Sequence, residues 1–218
     1  QGDFRIAVIG GGAGGVELAL STQHRLRGLL RAQADDVSRL HYMLLTDGPE
    51  ILPTHNAGVR RRFMRVLGER GIEVQTGGKV VEVEADGVRL ENGEFRSADA
   101  VLWVTMAAAP EWPAKSGLAV DDEGFIAVDR ALRSKSHPEI FAAGDIASLP
   151  DPRPKSGVFA VRQGPVLTQN LRRALAGRPL KPYRPQKNFL GLISTGDPYA
   201  IASRGNWSWE GKLLWKWK

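Results

Sequence analysis

The spacing of hydrophobic positions changes several times along this chain. Arg5 to Ile9 is a short apolar run that predicts a buried strand, and from Gly12 to about Gln33 apolar residues recur at helical spacing. His41 to Thr46 predicts a second strand beyond the polar turn at Asp35-Asp36, and a loop bounded by Pro49 and Pro53 follows it. Asn56 is placed to cap a helix through Arg70, Gly71 to stop it, and Ile72 to Thr76 to form a third strand. The period then drops from 3.6 to 2. Lys79 to Glu84 and Val88 to Glu91 alternate, with Asp86-Gly87 and Asn92-Gly93 where hairpin turns belong. Ala100 to Thr105 is apolar without alternation, the pattern of a strand buried on both faces. Residues 1–108 therefore predict one doubly wound α/β unit with an antiparallel meander.

Pro110, Pro113 and Gly117 mark a linker into a second stretch, 109–177. It holds short strand candidates at Gly124 to Val128 and Ile140 to Ala143, a loop with Pro150, Pro152 and Pro154, and a helix from about Val161 to Leu175 closed by Gly177. The remainder, 178–218, predicts strands from Phe189 onward, with turns at Gly196-Asp197 and Gly205-Asn206.

Composition narrows the class. A chain of 218 residues with 42% hydrophobic and 25% charged residues is globular. No apolar run approaches the roughly 18 residues that span a bilayer, and the first residues lack the pattern of a signal peptide, so the cytoplasm is the expected compartment. The absence of cysteine removes disulfides, thiolate metal sites and dithiol redox chemistry from this chain. The four histidines show no metal-ligand spacing, so no metal is expected. The net charge of +6 is carried by residues 178–218, where eight Lys or Arg face Asp197 and Glu210.

The chemistry lies in the bend that follows the first strand. Gly10, Gly12 and Gly15 form a G-x-G-x-x-G run, with Gly14 beside them, between a strand and a helix inside a β-α-β pattern. Gly10 permits the sharp exit from the strand, Gly12 lets a pyrophosphate approach the main chain, and Gly15 lets the helix lie close on the sheet. Free amides and the helix dipole then hold the anion. A ligand-free turn is the competing explanation, but each interior glycine weakens a fold by about 0.5–1 kcal/mol. A Rossmann-like domain binding NAD(H) is the expectation. Thr46 and Asp47 end the second strand, where an acidic residue accepts ribose hydroxyls and favours NAD. Arg60-Arg61-Arg62 begins the next helix as a solvated basic face or as a reach toward a 2′-phosphate, which leaves NADP(H) open.

Three stretches resemble a known superfamily. Val8 to Ala19, Asp47 to Pro53, and Ile140-Phe141-Ala142-Ala143-Gly144-Asp145 are similar to the two-dinucleotide flavoprotein oxidoreductases, within them to the type II NADH dehydrogenase-like proteins. Lys155 to Asn170 with Leu190 to Arg204 resembles the flavoprotein module fused to selenide, water dikinase. The resemblance implies an NAD domain, part of an FAD-binding domain over 109–177 and a β-rich C-terminal segment. It implies that this chain lacks an N-terminal FAD fingerprint and is inactive alone, with FAD held in the full-length protein. Gly144 and Asp145 are then expected beside the FAD ribityl chain, and Lys155, Gln163 and Gly164 on the flavin side. Glu17 is expected near the nicotinamide, as the catalytic neighbour that orients its carboxamide. A turn aspartate at 145 and a surface helix glutamate at 17 are the plainer alternatives. Thr105 and Met106 follow the returning strand, where relatives carry a small residue. Met106 is expected either to crowd a bound nicotinamide or to turn away as core filler.

Trp207, Trp209, Trp215 and Trp217, interleaved with Lys212, Lys216 and Lys218, admit three uses. They suit a membrane surface, with peripheral attachment to the inner membrane. They suit stacking on single-stranded nucleic acid, a partner that is not expected. Their alternation also suits one covered strand face, packing against a missing half or a fused partner, and this use is preferred. The expected function is hydride transfer from NAD(P)H to FAD and on to a small-molecule or quinone-type acceptor. The alternative is a non-catalytic dinucleotide-binding module that supports a fused enzyme such as selenide, water dikinase.

Overall fold

A computed structural model of the chain describes residues 2–186 and 190–218, which fall into two compact units, 2–105 with 190–218 and 106–186. The first unit opens with strand β1 (Phe4–Ile9), helix α1 (Ala13–Ala32), strand β2 (Leu40–Leu45), helix α2 (Ala57–Glu69) and strand β3 (Ile72–Gln75). The meander β4 (Val80–Glu84), β5 (Gly87–Leu90) and β6 (Phe95–Ser97) follows, and β7 (Ala100–Trp103) returns to the sheet. The sheet is parallel in the order β3-β2-β1-β7, so the chain leaves β1 to one side and comes back on the other. That reversal puts the C-terminal end of β1 at the topological switch point, where open α/β sheets bind ligands.

Alternation along β1 divides the core. Ile6 and Val8 pack with Val16, Leu20, Phe63 and Leu67 of the two helices, while Ala7 and Ile9 pack with Val80, Val88 and Leu90 of the meander. The meander thus covers the sheet face that α1 and α2 leave open. Both predicted ends of α2 hold. Asn56 Oδ1 accepts from the Val59 N–H at 3.1 Å, and Gly71 takes φ +66° just past α2. Both faces of β7 are packed, Ala100 and Leu102 on the helix side and Val101 on the meander side, but only partly buried: the strand is a sheet edge that pairs only with β1, and Trp103 at its end is 52% exposed.

The second unit holds the short helix α3 (Trp112–Lys115), strands β8 (Ile126–Ala127) and β9 (Ala147–Ser148), paired in parallel, and helix α4 (Gly157–Leu175). The strand predicted at Ile140 to Ala143 is reduced to one bridge between Phe141 and Arg133. Helix α4 begins a turn before the predicted Val161, because Phe159 is buried and anchors that first turn.

Residues 190–218 return to the first unit as β10 (Gly191–Ser194), β11 (Ala200–Arg204), β12 (Trp207–Gly211) and helix α5 (Lys212–Trp217). Phe189, the expected start of this region, lies outside the described residues. The division differs from the expected segments 1–108, 109–177 and 178–218, because Ile193 and Ile201 join the same core as α1 and α2. The paired Trp215 and Trp217 do not lie on a strand face. They sit on a helix turned so that Leu214 packs onto Ala200 and Ala202. Nor are the four tryptophans core within this chain, since Trp207, Trp209, Trp215 and Trp217 are 66%, 54%, 44% and 74% exposed.

Candidate functional site

The bend after β1 is built around backbone contacts that leave no room for side chains. Gly10 donates its N–H to the Leu45 carbonyl at 2.8 Å and takes φ +125°. A Cβ there would lie 2.2 Å from the Val104 carbonyl oxygen, and one on Gly15 would lie 1.8 Å from the Gly10 carbonyl oxygen. At Gly12 a Cβ would meet nothing within 4 Å, while Gly14 only touches Val104. Gly12 caps α1 without a side-chain hydrogen bond, and the first helical bond runs from the Val16 N–H to its carbonyl. Among the described residues, no acceptor meets the N–H groups of residues 12–15. Four unpaired donors thus cluster beside the open space at Gly12, at the positive end of a 20-residue helix with no acidic residue in its first turn. That arrangement suits an anion.

Two residues that sequence pattern did not single out complete the loop. A Cβ on Gly11 would lie 2.8 Å from Thr46 Cβ, so the second glycine of the run makes room for the end of β2. Buried Leu52 takes φ +52° and donates its N–H to the Gly11 carbonyl at 2.7 Å. The only local hint was the bracketing Pro49 and Pro53. Thr46 is buried against Gly11, and Asp47, the next residue, is exposed. Arg60 pairs with Glu50 at 2.9 Å and Arg62 with Glu210 at 3.4 Å, leaving Arg61 exposed.

Glu17 lies one turn further along α1. Its carboxylate accepts from the Ser194 N–H at 3.2 Å and pairs with Lys218 Nζ, so it holds down β10 and the end of the chain. Thr105 Oγ1 accepts from Trp103 Nε1 at 2.9 Å. Met106 is 85% exposed and therefore is not core filler.

The second unit gathers another group of the predicted residues. Gly144 turns with φ +75° and donates its N–H to Oε1 of buried Gln163 at 2.6 Å. Asp145 is exposed on the same turn, and Gly164 follows Gln163 on α4. Lys155 Nζ donates to the Ala147 carbonyl at 2.9 Å and stands 3.7 Å from the centre of the Phe125 ring. Burial pushes its ammonium below the ordinary lysine range, against the pull of Asp121, Asp145 and Glu123. Among the described residues, no three His, Asp or Glu side chains are grouped to hold a metal ion, and no helix is long and apolar enough to cross a membrane.

Comparison with known proteins gives this geometry its place. The family model for pyridine nucleotide-disulphide oxidoreductases matches residues 1–164. The chain belongs to that family. It is 31% identical over 223 residues to the alternative NAD(P)H-ubiquinone oxidoreductase C1 of Arabidopsis thaliana, covering 91% of this chain and 40% of that protein. It is 30% identical over 204 residues to demethylphylloquinone reductase NdbB of Synechocystis, covering 88% and 48%. In fold it resembles the sulfide:quinone oxidoreductase of Aquifex aeolicus, with a TM-score of 0.71 at 19% identity over 99% of this chain and 56% of the other. The chain thus spans about half, or less, of the length of these relatives.

Proposed function

We propose that this chain is the NADH-binding portion of a flavoprotein oxidoreductase that delivers electrons to a quinone-type acceptor. The observation that carries the proposal is the cluster of unpaired N–H groups at residues 12–15 beside the space that Gly12 leaves open. The diphosphate of a dinucleotide suits it in charge and in its need for close main-chain approach. When bound, the nicotinamide supplies a hydride and the flavin takes up two electrons and passes them on. Gly10, Gly12, Gly14 and Gly15 shape the phosphate cradle. Thr46 seats the loop, and Asp47 would accept from the ribose hydroxyls. NAD is favoured over NADP because Arg60 and Arg62 already have acidic partners within this unit. Glu17 would orient the nicotinamide end from α1, with Thr105 after β7 bordering the same coenzyme.

For FAD in the full-length protein, Gly144, Asp145, Lys155, Gln163 and Gly164 fit as a binding turn. The Gly144 turn is held open by buried Gln163, and Asp145 is free to accept. The quinone-type acceptor is supported by the names of the relatives, two of which are quinone reductases. Peripheral attachment to a membrane is supported by the exposed Trp207, Trp209, Trp215 and Trp217 beside Lys212 and Lys216. A second reading rests on the single glycine fingerprint: a binding module without turnover, serving a fused enzyme such as selenide, water dikinase.

Visible spectra of the full-length protein separate the two. A yellow protein that bleaches on addition of NADH supports the oxidoreductase. A colourless one that NADH protects against heat supports the binding module, and a protein indifferent to NADH defeats both.

A further inference from the structure

The segment after α4 reads Arg178-Pro179-Leu180-Lys181-Pro182-Tyr183-Arg184-Pro185, a cation and a proline recurring every third residue. Proline confines its own φ near −65° and drives the residue before it out of the helical region, so covalent geometry fixes φ at three of these eight residues and holds three more in extended conformations. A polyproline II path has three residues per turn and would set the cations in one row about 9 Å apart. The structure agrees with such a path: residues 178–186 form no helix or strand, Arg178, Lys181 and Arg184 are exposed, and Tyr183 is buried.

This strap is held rather than loose. Asn170, fully buried on α4, uses both ends of its amide on one peptide unit: Nδ2 donates to the Lys181 carbonyl at 2.8 Å and Oδ1 accepts from the Lys181 N–H at 2.8 Å. The same Nδ2 donates to the Ala131 carbonyl at 2.9 Å. Arg173 Nε donates to the Pro179 carbonyl, and the Tyr183 N–H donates to the Arg130 carbonyl at 2.7 Å. A buried asparagine committed to positioning a solvent-exposed row of charge is more than solubility requires.

Positive charge accumulates along it, beside Asp129 and Asp151, which pair with Arg133 and Arg153. Arg130 and Arg172 are exposed beside the strap, and none of Arg130, Arg172, Arg178, Lys181 and Arg184 has an ion-pair partner among the described residues. Two hollows meet at Arg178, one lined also by Thr168, Gln169 and Arg172 and the other by Arg130, Arg133 and Asp129, whose carboxylate is taken up by Arg133 at 3.4 Å. Guanidinium forks, a hydroxyl and an amide around concave surface match phosphate oxygens. No large apolar side chain is exposed in 178–186 to enter a bilayer, and the one aromatic there is buried, so nothing in the strap stacks on bases.

We propose that the strap at 178–185, with Arg130 and Arg172, is a binding rail for an oligophosphate chain. The phosphate chain is either free inorganic polyphosphate or the tail of a nucleotide. The rail lies wholly in the second unit and does not depend on the coenzyme assignment for residues 12–15.

Calorimetric titration of the whole 218-residue chain at low salt tests this with four probes: tripolyphosphate, long-chain inorganic polyphosphate, ATP and polyglutamate. Expected are saturable binding of the phosphate probes, weakening steeply with salt, and at least tenfold weaker binding by an R178Q/K181Q/R184Q variant whose melting temperature is unchanged. ATP binding clearly tighter than tripolyphosphate assigns a nucleotide tail, and the reverse assigns inorganic polyphosphate. Three results would overturn the proposal: no binding of any phosphate probe, equal binding by the triple variant, or polyglutamate binding as tightly as polyphosphate, which would mark an acidic-protein surface instead.

Discussion

A single methyl group at Gly12 tests the cradle more cleanly than any larger change. The residue has φ −71° and ψ 177°, which any L-residue adopts, and a Cβ there would meet nothing within 4 Å. Gly12→Ala therefore brings no strain and no clash to the free protein. Alanine is a poorer N-cap than glycine, but it also reduces the freedom of the unfolded chain by about 0.4–1 kcal/mol, so the two effects offset. The melting temperature should move by no more than about 2 °C. A bound diphosphate must approach the N–H groups of residues 12–15 to about 2.9 Å, and the new methyl occupies the space at that face. Crowding of that kind costs about 1–3 kcal/mol, which corresponds to NADH binding weaker by roughly 5- to 150-fold. Calorimetric titration with NADH, paired with thermal melts, reads both quantities. Gly15→Ala is the contrast: its Cβ would lie 1.8 Å from the Gly10 carbonyl oxygen, so helix or loop must move and stability itself falls by about 3 kcal/mol or more. If Gly12→Ala binds NADH as tightly as the parent protein at an unchanged melting temperature, the diphosphate does not lie where the hollow places it.

Other outcomes follow from the packing of residues 190–218 on the first unit. His55 is held by Ser203 Oγ at 2.9 Å, and burial lowers its imidazole below the ordinary 6.5. The unfolded chain then takes up a proton that the folded chain refuses, so this contribution to stability is complete above about pH 6.5 and is lost as pH falls through the lowered value. His55→Gln should flatten the pH dependence of chemical denaturation between pH 7 and 5, and an unaltered slope would remove His55 as its source. Glu210 takes both Arg62 and Arg65, at 3.4 and 2.6 Å, with a quarter of its side chain exposed. Glu210→Gln should lower stability by about 0.5–1 kcal/mol, a difference that shrinks in high salt. Asn170→Ala leaves the Lys181 peptide and the Ala131 carbonyl without their partner and should cost about 2–4 kcal/mol in a denaturant melt. Alanine at Trp207 and Trp209, which are exposed, should leave the melting temperature in place and reduce sedimentation with anionic vesicles.

Much of the first unit was legible in the sequence because its rules are local. A buried strand, a glycine bend and an amphipathic helix each carry their period in a few neighbouring residues, as do the Asn56 cap and the Asp86-Gly87 and Asn92-Gly93 turns. The assignment of roles within the bend was equally local: Gly10 and Gly15 are needed because backbone meets backbone, and Gly12 because the space beyond it is left open. The edge position of β7 was not legible, since an apolar run looks the same whether one neighbour or two lie beside it. Gly11 and Leu52 escaped notice for a related reason: each is defined by a contact with a residue far along the chain, Thr46 for Gly11 and Gly11 for Leu52.

Sequence by itself therefore determined the order of elements through the first parallel sheet and its meander, the place of the glycine bend and the absence of cysteine chemistry from this chain. Only the tertiary structure decided where the C-terminal residues belong. Nothing in the local pattern distinguishes Ile193 and Ile201 from the apolar residues of a separate segment, and nothing near Glu17 announces that its carboxylate holds the Ser194 N–H. Tertiary packing also turned an apparent tryptophan strand into helix α5, because burying Leu214 outweighed the period-2 spacing of Trp215 and Trp217. Local spacing limits the conformations a segment can adopt, but long-range burial selects among them, and the surface left uncovered is known only once that selection is made.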